Sequence, residues 1–493
     1  MNMTIETPAL ADTLDFVDLD VVRFDPSVAN ALFSSAARRF RCIVICRVNE
    51  QLMVATSHPQ PDLVDAYLQD HLTEPFTLLR ADEHAVRRHM PQVHASAVSS
   101  EPEPDAGGEY VAMCDELLHA ASRRGASDIH LVPDEDRIRV GYRIDGALEA
   151  TRELPKTLLS GLTSRLKVMG GLNIAEKREP QDGRFSWTNS KRLRHDVRVA
   201  TIPTRFGERV TMRLLTPVEG AEGLADLGMT DAQLSEFRPA MACPNGLILL
   251  TGPTGCGKST TLYTAITERL RRSTTNVITI EDPIEFEIPG ASQIEVDAAQ
   301  KVTFPRALRS ILRHDPDVIM VGEIRDAETA ELAIKASLTG HLVLSTLHTN
   351  TAAGVVTRLL DMGVEPFLVA ATLRLSVAQR LVRRLCQHCR APVQIDATTS
   401  IALGDPSLAG QTAYQAVGCV YCGGKGYRGR TALFEMLPGG GDVAERIATG
   451  QGETGLLKQM QESRQPRMID DGVTKILDGT TTTEQVLSAV ATW

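Results

Sequence analysis

Hydrophobic and polar positions along this chain repeat with both helical and strand periods, and together they predict several domains. Near the amino terminus, apolar stretches at residues 41–48 and 51–56 predict strands, whereas the patterns at residues 61–68 and 82–89 predict helices. This mixture is typical of a small α+β domain, which we assign to residues 1–93.

Residues 94–108 differ in composition, since they are rich in Pro, Ser, Gly and acidic residues, as linkers are. We therefore expect the first domain to move relative to the rest of the chain, as a docking module would. A second α+β domain is predicted over residues 109–220, where the alternating stretch at residues 137–144 ends at the hairpin signal Asp145-Gly146.

From residue 221 to about residue 380, buried strand patterns alternate with helical patterns, which indicates a parallel sheet covered by helices on both faces. One strand pattern ends at Glu281, a second ends just before Glu323, and a third runs from His341 to His348. Active groups in such sheets gather at the carboxyl ends of the strands, so we expect the acidic residues to cluster there.

A glycine-rich loop follows the apolar residues 247–250 and precedes a helical pattern at residues 260–270. It matches G-x-x-x-x-G-K-[ST] in full, in the strand-loop-helix context that a phosphate-binding loop requires. Lys258 would reach the β- and γ-phosphates, and the Ser259 hydroxyl would bind Mg²⁺. The predicted nucleotide-binding residues are Gly252, Pro253, Thr254, Gly255, Cys256, Gly257, Lys258, Ser259 and Thr260, with the Cys256 side chain facing outward.

A nucleoside triphosphatase also needs carboxylates that hold the Mg²⁺ shell and orient the attacking water. We assign Glu323 to the water shell of the metal and Glu281 to the attacking water. Helix capping or an ion pair is the structural alternative for each. His341 and His348 are candidates for contacting the γ-phosphate or relaying its loss, with simple packing as the alternative.

Composition excludes several other classes of protein. The 493 residues suggest three or four domains, and 43% hydrophobic with 23% charged residues is typical of a soluble protein. No apolar run approaches the roughly 18 residues of a membrane span, and we expect no secretory signal and a cytoplasmic protein. The net charge of −10 argues against general nucleic-acid binding, which depends on basic residues.

Four of the nine cysteines form two C-x2-C pairs, Cys386 with Cys389 and Cys419 with Cys422. Four thiolates suit a tetrahedral structural Zn²⁺ site. The separation of about 29 residues is longer than the usual 15 to 20, which weakens the argument from spacing alone.

Four segments resemble, in order, the Walker A, Asp box, Walker B and His box of the secretion ATPases. They are residues 252–260, 279–285, 321–326 and 339–350. The similar proteins are the GspE proteins of type II secretion and the PilB proteins of type IV pilus assembly. Shorter segments at residues 126–131 and 181–184 resemble their second N-terminal domain, and residues 54–59 resemble the partner-docking domain of GspE.

The resemblance implies an α/β protein with a RecA-like P-loop ATPase core, preceded by the two smaller α+β domains. The core would occupy residues 221–380, a zinc-binding tetracysteine subdomain residues 381–432, and a helical region residues 433–493. Arginines of the family complete the nucleotide site between domains or subunits. The matching positions are Arg198, Arg213, Arg309 and Arg313.

The implied function is a homohexameric ATPase motor on the cytoplasmic face of the inner membrane, using ATP and Mg²⁺ and holding Zn²⁺. It would add pilin-like subunits to a pseudopilus in type II secretion. A GspL-like protein would bind its first domain, and a GspF-like platform protein would receive its movement. Type IV pilus assembly is the alternative, followed by a RecA-like nucleic-acid translocase and a nucleotide-gated scaffold without hydrolysis.

Overall fold

The computed structural model describes residues 14–491 except residues 23, 26, 27, 29, 30, 33, 49, 73, 94–107, 190–193, 216–222, 298 and 299. The predicted linker therefore lies almost entirely outside the described residues. The chain divides into two compact units. Unit 1 comprises residues 1–214, 385–391 and 415–428, and unit 2 comprises residues 215–384, 392–414 and 429–493.

The first domain of unit 1 is a three-stranded sheet packed with helices. Its elements are α1 (Ser34–Arg39), β1 (Cys42–Val48), β2 (Gln51–Thr56), α2 (Pro61–His71), β3 (Phe76–Arg80) and α3 (Glu83–Val93). Strand β1 pairs antiparallel with β2, which pairs parallel with β3. The two strands and two helices predicted here from hydrophobic periodicity are confirmed.

The second domain of unit 1 is a six-stranded sheet with the order β6-β5-β4-β9-β8-β7. Its elements are α4 (Gly108–Arg123), β4 (Ala126–Pro133), β5 (Arg137–Ile144), β6 (Ala147–Pro155), α5 (Leu159–Met169), β7 (Gln181–Thr188), β8 (Arg194–Thr204) and β9 (Gly207–Leu215). The predicted hairpin is present between β5 and β6. Asp145 and Gly146 have φ angles of 49° and 86°, and a two-residue type I′ turn requires both to be positive.

Ion pairs connect the two domains of unit 1. Arg88 lies 2.6 Å from Glu116, and Arg124 lies 3.0 Å from Asp18. The Arg124 side chain is almost fully buried, at 5% exposure. The movement of the first domain that the sequence predicts therefore requires these pairs to open.

Unit 2 is built on a seven-stranded sheet with the order β12-β11-β13-β14-β10-β15-β18. The elements as far as β15 are α6 (Asp231–Ala242), β10 (Gly246–Thr251), α7 (Lys258–Arg272), β11 (Val277–Glu281), β12 (Ala291–Glu295), α8 (Phe304–Ile311), β13 (Val318–Val321), α9 (Ala327–Leu338), β14 (Leu342–Leu347), α10 (Gly354–Asp361), α11 (Pro366–Thr372) and β15 (Leu373–Leu385). Every neighbouring pair from β12 to β15 is parallel.

The sheet is buried on both faces, which explains why its strands read as continuous apolar runs. In β10, Leu247 and Leu249 belong to one hydrophobic cluster, whereas Ile248 and Leu250 belong to another. Because side chains of a strand point alternately to opposite faces, each cluster lies on one side of the sheet. The predicted α/β core with a parallel sheet is confirmed.

The remaining elements complete the carboxyl-terminal part of the chain. They are β16 (Ala391–Gln394), α12 (Ala397–Ala402), β17 (Thr412–Gln415), β18 (Tyr427–Pro438), α13 (Gly441–Ala448), α14 (Glu453–Glu462), α15 (Met468–Leu477) and α16 (Thr483–Val490). The predicted helical C-terminal region is present. Among the described residues, no helix combines the length and the apolar character needed to span a membrane.

A buried ion pair ties α15 to β18. The Lys475 ammonium lies 2.8 and 2.7 Å from the two carboxylate oxygens of Asp471, and Asp471 also accepts the Phe434 backbone N–H at 2.8 Å. Burial lowers the pKa of Lys475, and the Asp471 carboxylate opposes that change. Both charged groups are therefore compensated within the core.

Candidate functional site

The phosphate loop leaves the carboxyl end of β10 and enters α7. Gly252, Gly255 and Gly257 have φ angles of 145°, 79° and 87°, which residues other than glycine rarely adopt. A Cβ atom at Gly252 would also lie 2.5 Å from the Gln379 carbonyl oxygen. The loop thus needs glycine for both its conformation and its packing.

Lys258 is buried and directs its ammonium group into the loop. It donates hydrogen bonds to the carbonyl oxygens of Gly252 at 2.7 Å and Pro253 at 3.2 Å. Burial lowers the pKa of Lys258; the Arg380 guanidinium lowers it further, whereas the Glu323 carboxylate opposes the change. The lysine is thus placed at the point where the motif requires a cation.

The Cys256 side chain is buried, at 4% exposure, so the prediction that it faces outward is wrong. Its Sγ atom lies 2.7 Å from where a Cβ atom on Gly252 would stand, and it fills the inside of the loop. Burial raises the pKa of this thiol, which keeps it protonated. Cys256 therefore acts as a small packing residue. By contrast, the Ser259 side chain, the predicted Mg²⁺ ligand, is exposed.

Glu323 follows β13 and lies at the same edge of the sheet as the phosphate loop. It forms an ion pair with Arg325, and the His348 ring nitrogen Nε2 lies 3.7 Å from its other oxygen. Arg325 also lies 3.3 Å from Asp282. Burial lowers the pKa of His348, as does the charge of Lys258, so the neutral imidazole is favoured. The structure thus brings Lys258, Glu323 and His348 together at the carboxyl ends of the strands, where the sequence predicts the active groups.

Glu281 ends β11 and is buried, with side-chain donors on both carboxylate oxygens. One oxygen accepts from Thr279 at 2.6 Å and Gln293 at 3.1 Å, and the other accepts from the Tyr263 hydroxyl. Burial raises the pKa of Tyr263, and the Glu281 charge raises it further. Tyr263 belongs to α7, so it connects this carboxylate to the helix that follows the phosphate loop. The assignment of Glu281 to the attacking water stays a prediction.

His341 lies at the opposite edge of the sheet, and this placement contradicts its predicted contact with the γ-phosphate. It precedes the six residues of β14, which at about 3.3 Å per residue puts it roughly 20 Å from the carboxyl end. Its Nδ1 atom lies 3.0 Å from the Ala336 carbonyl oxygen. His341 therefore packs at the end of α9.

The two arginines predicted near α8 are exposed. Arg309 forms an ion pair with Glu328 of α9, and Arg313 donates to the Arg309 carbonyl oxygen at 2.8 Å. Neither contact involves the phosphate loop, and the predicted part of these arginines in completing the nucleotide site stays a prediction.

The other two predicted arginines lie on the sheet of the second domain in unit 1. Arg213 on β9 lies 2.9 Å from Asp128, and Arg198 on β8 is opposite Arg184 in register. Their proposed part in completing the nucleotide site stays a prediction.

Gln379 of β15 is a site residue that the sequence patterns did not reveal. It is buried at 2% exposure, donates from Nε2 to the Cys256 carbonyl oxygen at 2.8 Å, and accepts from the Thr261 hydroxyl at 2.9 Å. One amide therefore holds both the phosphate loop and the first turn of α7. The available signal was the polar pair Gln379-Arg380, which directly follows the apolar Val377-Ala378 in this strand.

Two carboxylates from the C-terminal region hold the loop that follows His348. Glu435 of β18 is buried and accepts the backbone N–H groups of Ala352 at 3.0 Å and Met468 at 3.4 Å. Glu453 accepts a hydrogen bond from the Thr351 hydroxyl. The His348 edge of the site is thereby attached to β18, α14 and α15.

The four predicted metal ligands meet in unit 1, with their sulfur atoms all within 4.8 Å of one another. The Sγ separations are 3.8 Å for Cys386 and Cys419, 3.8 Å for Cys389 and Cys422, and 3.7 Å for Cys419 and Cys422. Four sulfurs about 2.3 Å from a tetrahedral Zn²⁺ would lie about 3.8 Å apart.

Backbone N–H groups also point at these sulfurs. The N–H of Gly418 donates to Cys389 at 3.3 Å, and that of Gly426 donates to Cys422 at 3.1 Å. Such donors stabilise thiolates, the form in which cysteine binds a metal. The donor set and its surroundings fit Zn²⁺.

Comparisons with known sequences agree with a nucleotide-hydrolysing site at the phosphate loop. A family model described as "Type II/IV secretion system protein" matches residues 105–488. The type II secretion system ATPase E of Vibrio cholerae is 47% identical over 387 residues, which are 78% of this chain and 76% of that protein. The type IV pilus assembly ATPase PilB of Thermus thermophilus is 44% identical over 375 residues, which are 76% of this chain and 42% of that protein.

Solved structures show the same fold. The pilus retraction motor PilT with bound ADP has a TM-score of 0.52 and 27% identity, covering 77% of this chain and 97% of PilT. The ATPase DotB of Legionella pneumophila has a TM-score of 0.58 and 24% identity, covering 80% of this chain and 98% of DotB.

Proposed function

The chain belongs to the type II/IV secretion system protein family and is an ATPase, and from this premise we propose that it powers type II secretion. It would act as a homohexameric motor bound to the cytoplasmic face of the inner membrane. The observation that carries the proposal is the meeting of Lys258, Glu323 and His348 at one edge of the sheet, beside a phosphate loop.

The residues of this edge divide the work of hydrolysis. Lys258 would exchange its loop carbonyl partners for the β- and γ-phosphates of ATP, and Ser259 would offer its hydroxyl to Mg²⁺. Glu323 would hold the water shell of that ion, which when bound would neutralise charge on the phosphate oxygens. Glu281 accepts a hydrogen bond from the attacking water, for which one of its side-chain donors moves aside.

Movement would begin at the same edge. Tyr263 and Gln379 connect the phosphate loop to Glu281 and to β15, so rearrangement of the loop is passed to the sheet. Arg309 and Arg313, both exposed, would enter the site of a neighbouring subunit, where a fixed charge would stabilise the phosphoryl transition state. A GspF-like platform protein would receive the movement, and a GspL-like protein would bind the first domain.

Secretion is the first candidate because identity to the V. cholerae secretion ATPase is 47%, compared with 44% to the T. thermophilus pilus assembly ATPase. Pilus assembly is the second candidate, because identity to that ATPase is still 44%.

We also infer that the four cysteines hold one structural Zn²⁺. The support is the set of sulfur separations near those of a tetrahedral tetrathiolate site, together with the backbone donors aimed at the sulfurs. Its contribution would be to fold the two C-x2-C turns onto each other.

The test compares Glu323→Gln with Glu331→Gln, a control on the exposed face of α9, where Glu331 pairs with Lys335. Glu323→Gln is expected to lower ATP turnover by about a hundredfold or more while ATP still binds, and the control to match wild type. Unchanged turnover in Glu323→Gln contradicts the site. In the source organism, loss of protein export with pili retained supports secretion, and the reverse result supports pilus assembly.

A further inference from the structure

We propose that Arg380 senses the γ-phosphate of ATP from within the same chain, in addition to the four arginines predicted above. Strand β15 pairs with β10 up to the register Ala378 opposite Thr251. Arg380 therefore comes two residues after the last paired position, beside the start of the phosphate loop. This inference rests on ATP binding at that loop.

The guanidinium group of Arg380 lies between two loops of the site. Its Nη1 atom lies 3.1 Å from where a Cβ atom on Gly252 would stand and donates to the Gln379 carbonyl oxygen at 3.0 Å. Its Nη2 atom donates to Asn350, to the backbone oxygen at 3.1 Å and the side-chain oxygen at 3.3 Å. Asn350 follows His348 by two residues, so Arg380 joins the phosphate loop to the His348 loop.

Charge makes this position suited to an anion. The bonds that the structure gives Arg380 go to neutral oxygens, and its charge is close enough to lower the pKa of Lys258. A guanidinium forms stronger hydrogen bonds with a phosphate than with an amide oxygen. A third phosphate beside Lys258 would therefore draw Arg380 away from Asn350.

This exchange would give the protein a means to distinguish ATP from ADP. With ADP, Arg380 keeps its bonds to Asn350 and the His348 loop stays attached to β15. With ATP, those bonds are replaced by bonds to the γ-phosphate, and Asn350 loses its contact with β15. Arg380 would then contribute affinity for ATP but little for ADP.

Arg374 provides a matched control on the same strand. It also donates to neutral carbonyl oxygens, those of Asn245 and Ala371, each at 3.1 Å. It belongs to the amino end of β15, away from the phosphate loop. Arg374→Gln thus removes the same kind of contact without touching the site.

The experiment measures dissociation constants of full-length wild type, Arg380→Gln, Arg380→Lys and Arg374→Gln for a non-hydrolysable ATP analogue and for ADP, both with Mg²⁺. We expect Arg380→Gln to weaken binding of the analogue about tenfold or more and binding of ADP less than about twofold. The affinity of Arg380→Lys for the analogue should lie between those of wild type and Arg380→Gln. Arg374→Gln should change neither constant. Equal weakening of both ligands by Arg380→Gln, or no weakening, overturns the proposal; wild type that binds neither ligand overturns the proposed ATPase site instead.

Discussion

The Lys258 ammonium group lies 2.7 Å from the carbonyl oxygen of Gly252, the first residue of the loop that would hold the phosphates. The lysine therefore stabilises the loop through its own backbone. Phosphate binding has to replace that contact. The replacement is more favourable when the lysine is protonated, because a charged donor bonds more strongly to an anion than to a neutral carbonyl oxygen.

Nucleotide affinity should consequently depend on pH through Lys258. Because burial lowers the pKa of Lys258 below its usual 10.5, the cation is lost at a lower pH than on an exposed lysine. ATP affinity should be constant below this lowered pKa and should fall as pH rises through it. Lys258→Arg stays charged over this range. Its ATP affinity at pH 7 should be lower than that of wild type, but it should not fall further as the pH rises to about 10. Parallel profiles of the two proteins would contradict this.

Removing the Tyr263 hydroxyl should impair turnover more than nucleotide binding. Tyr263→Phe removes the donor from one oxygen of the buried Glu281 carboxylate, and Thr279 and Gln293 continue to hold the other oxygen. We expect kcat to fall about tenfold with KM little changed, and stability to fall by about 1–3 kcal/mol. The control is Thr264→Ala on the same helix, where the Thr264 hydroxyl donates to the Thr260 carbonyl oxygen. A Tyr263→Phe protein with wild-type kcat would show that Glu281 needs no such positioning.

Gln379→Met should weaken ATP and ADP equally, unlike Arg380→Gln. The substitution keeps the volume but leaves the Cys256 carbonyl and the Thr261 hydroxyl buried without this partner, at about 1–3 kcal/mol each. We expect both dissociation constants to rise about tenfold, measured by titration with the two nucleotides. Gln411→Met, at an exposed amide, serves as control. Selective loss of ATP alone would assign γ-phosphate recognition to Gln379 instead.

The purified protein should contain about one zinc per chain, measured by atomic emission. Cys419→Ser should lower the zinc content and reduce stability by several kcal/mol, because metal binding free energy contributes to folding. Cys243→Ser, outside the cluster, should change neither. Wild type with far less than one zinc per chain, and not restored by refolding with zinc, would contradict the metal site.

The buried pair Asp471–Lys475 should matter far more than a similar exposed pair. Asp471→Ala leaves Lys475 buried without its counter-ion and removes the acceptor of the Phe434 N–H, so we expect a loss of about 3–5 kcal/mol. The pair Glu331–Lys335 has the same spacing, but both side chains are more than 60% exposed. Glu331→Ala should therefore cost less than about 0.5 kcal/mol in thermal or urea unfolding. Comparable losses in both variants would refute the argument from burial.

Hydrophobic periodicity and chain direction together predicted the sheet and its active edge. The apolar runs before Gly252 and before Glu323 define where their strands end, because a strand buried on both faces ends where polar groups begin. Chain direction could also have placed His341 correctly, since it precedes its strand and so belongs to the opposite edge.

Other features depended on contacts between distant parts of the chain. Gln379 is 118 residues from its partner Thr261, and no local pattern connects them. The inward orientation of Cys256 is decided by packing inside the loop, which the motif alone does not specify.

Glu435 gives the boundaries of the ATPase a practical meaning. By accepting the N–H groups of both Ala352 and Met468, this one carboxylate makes the start of α15 part of the wall beside the His348 loop. A fragment that ended with the last Walker-type motif would lack Glu435 itself, and one that ended with β18 would keep this buried carboxylate but remove its Met468 donor. The shortest active fragment of unit 2 should therefore extend through α15, well past the last sequence motif of nucleotide binding.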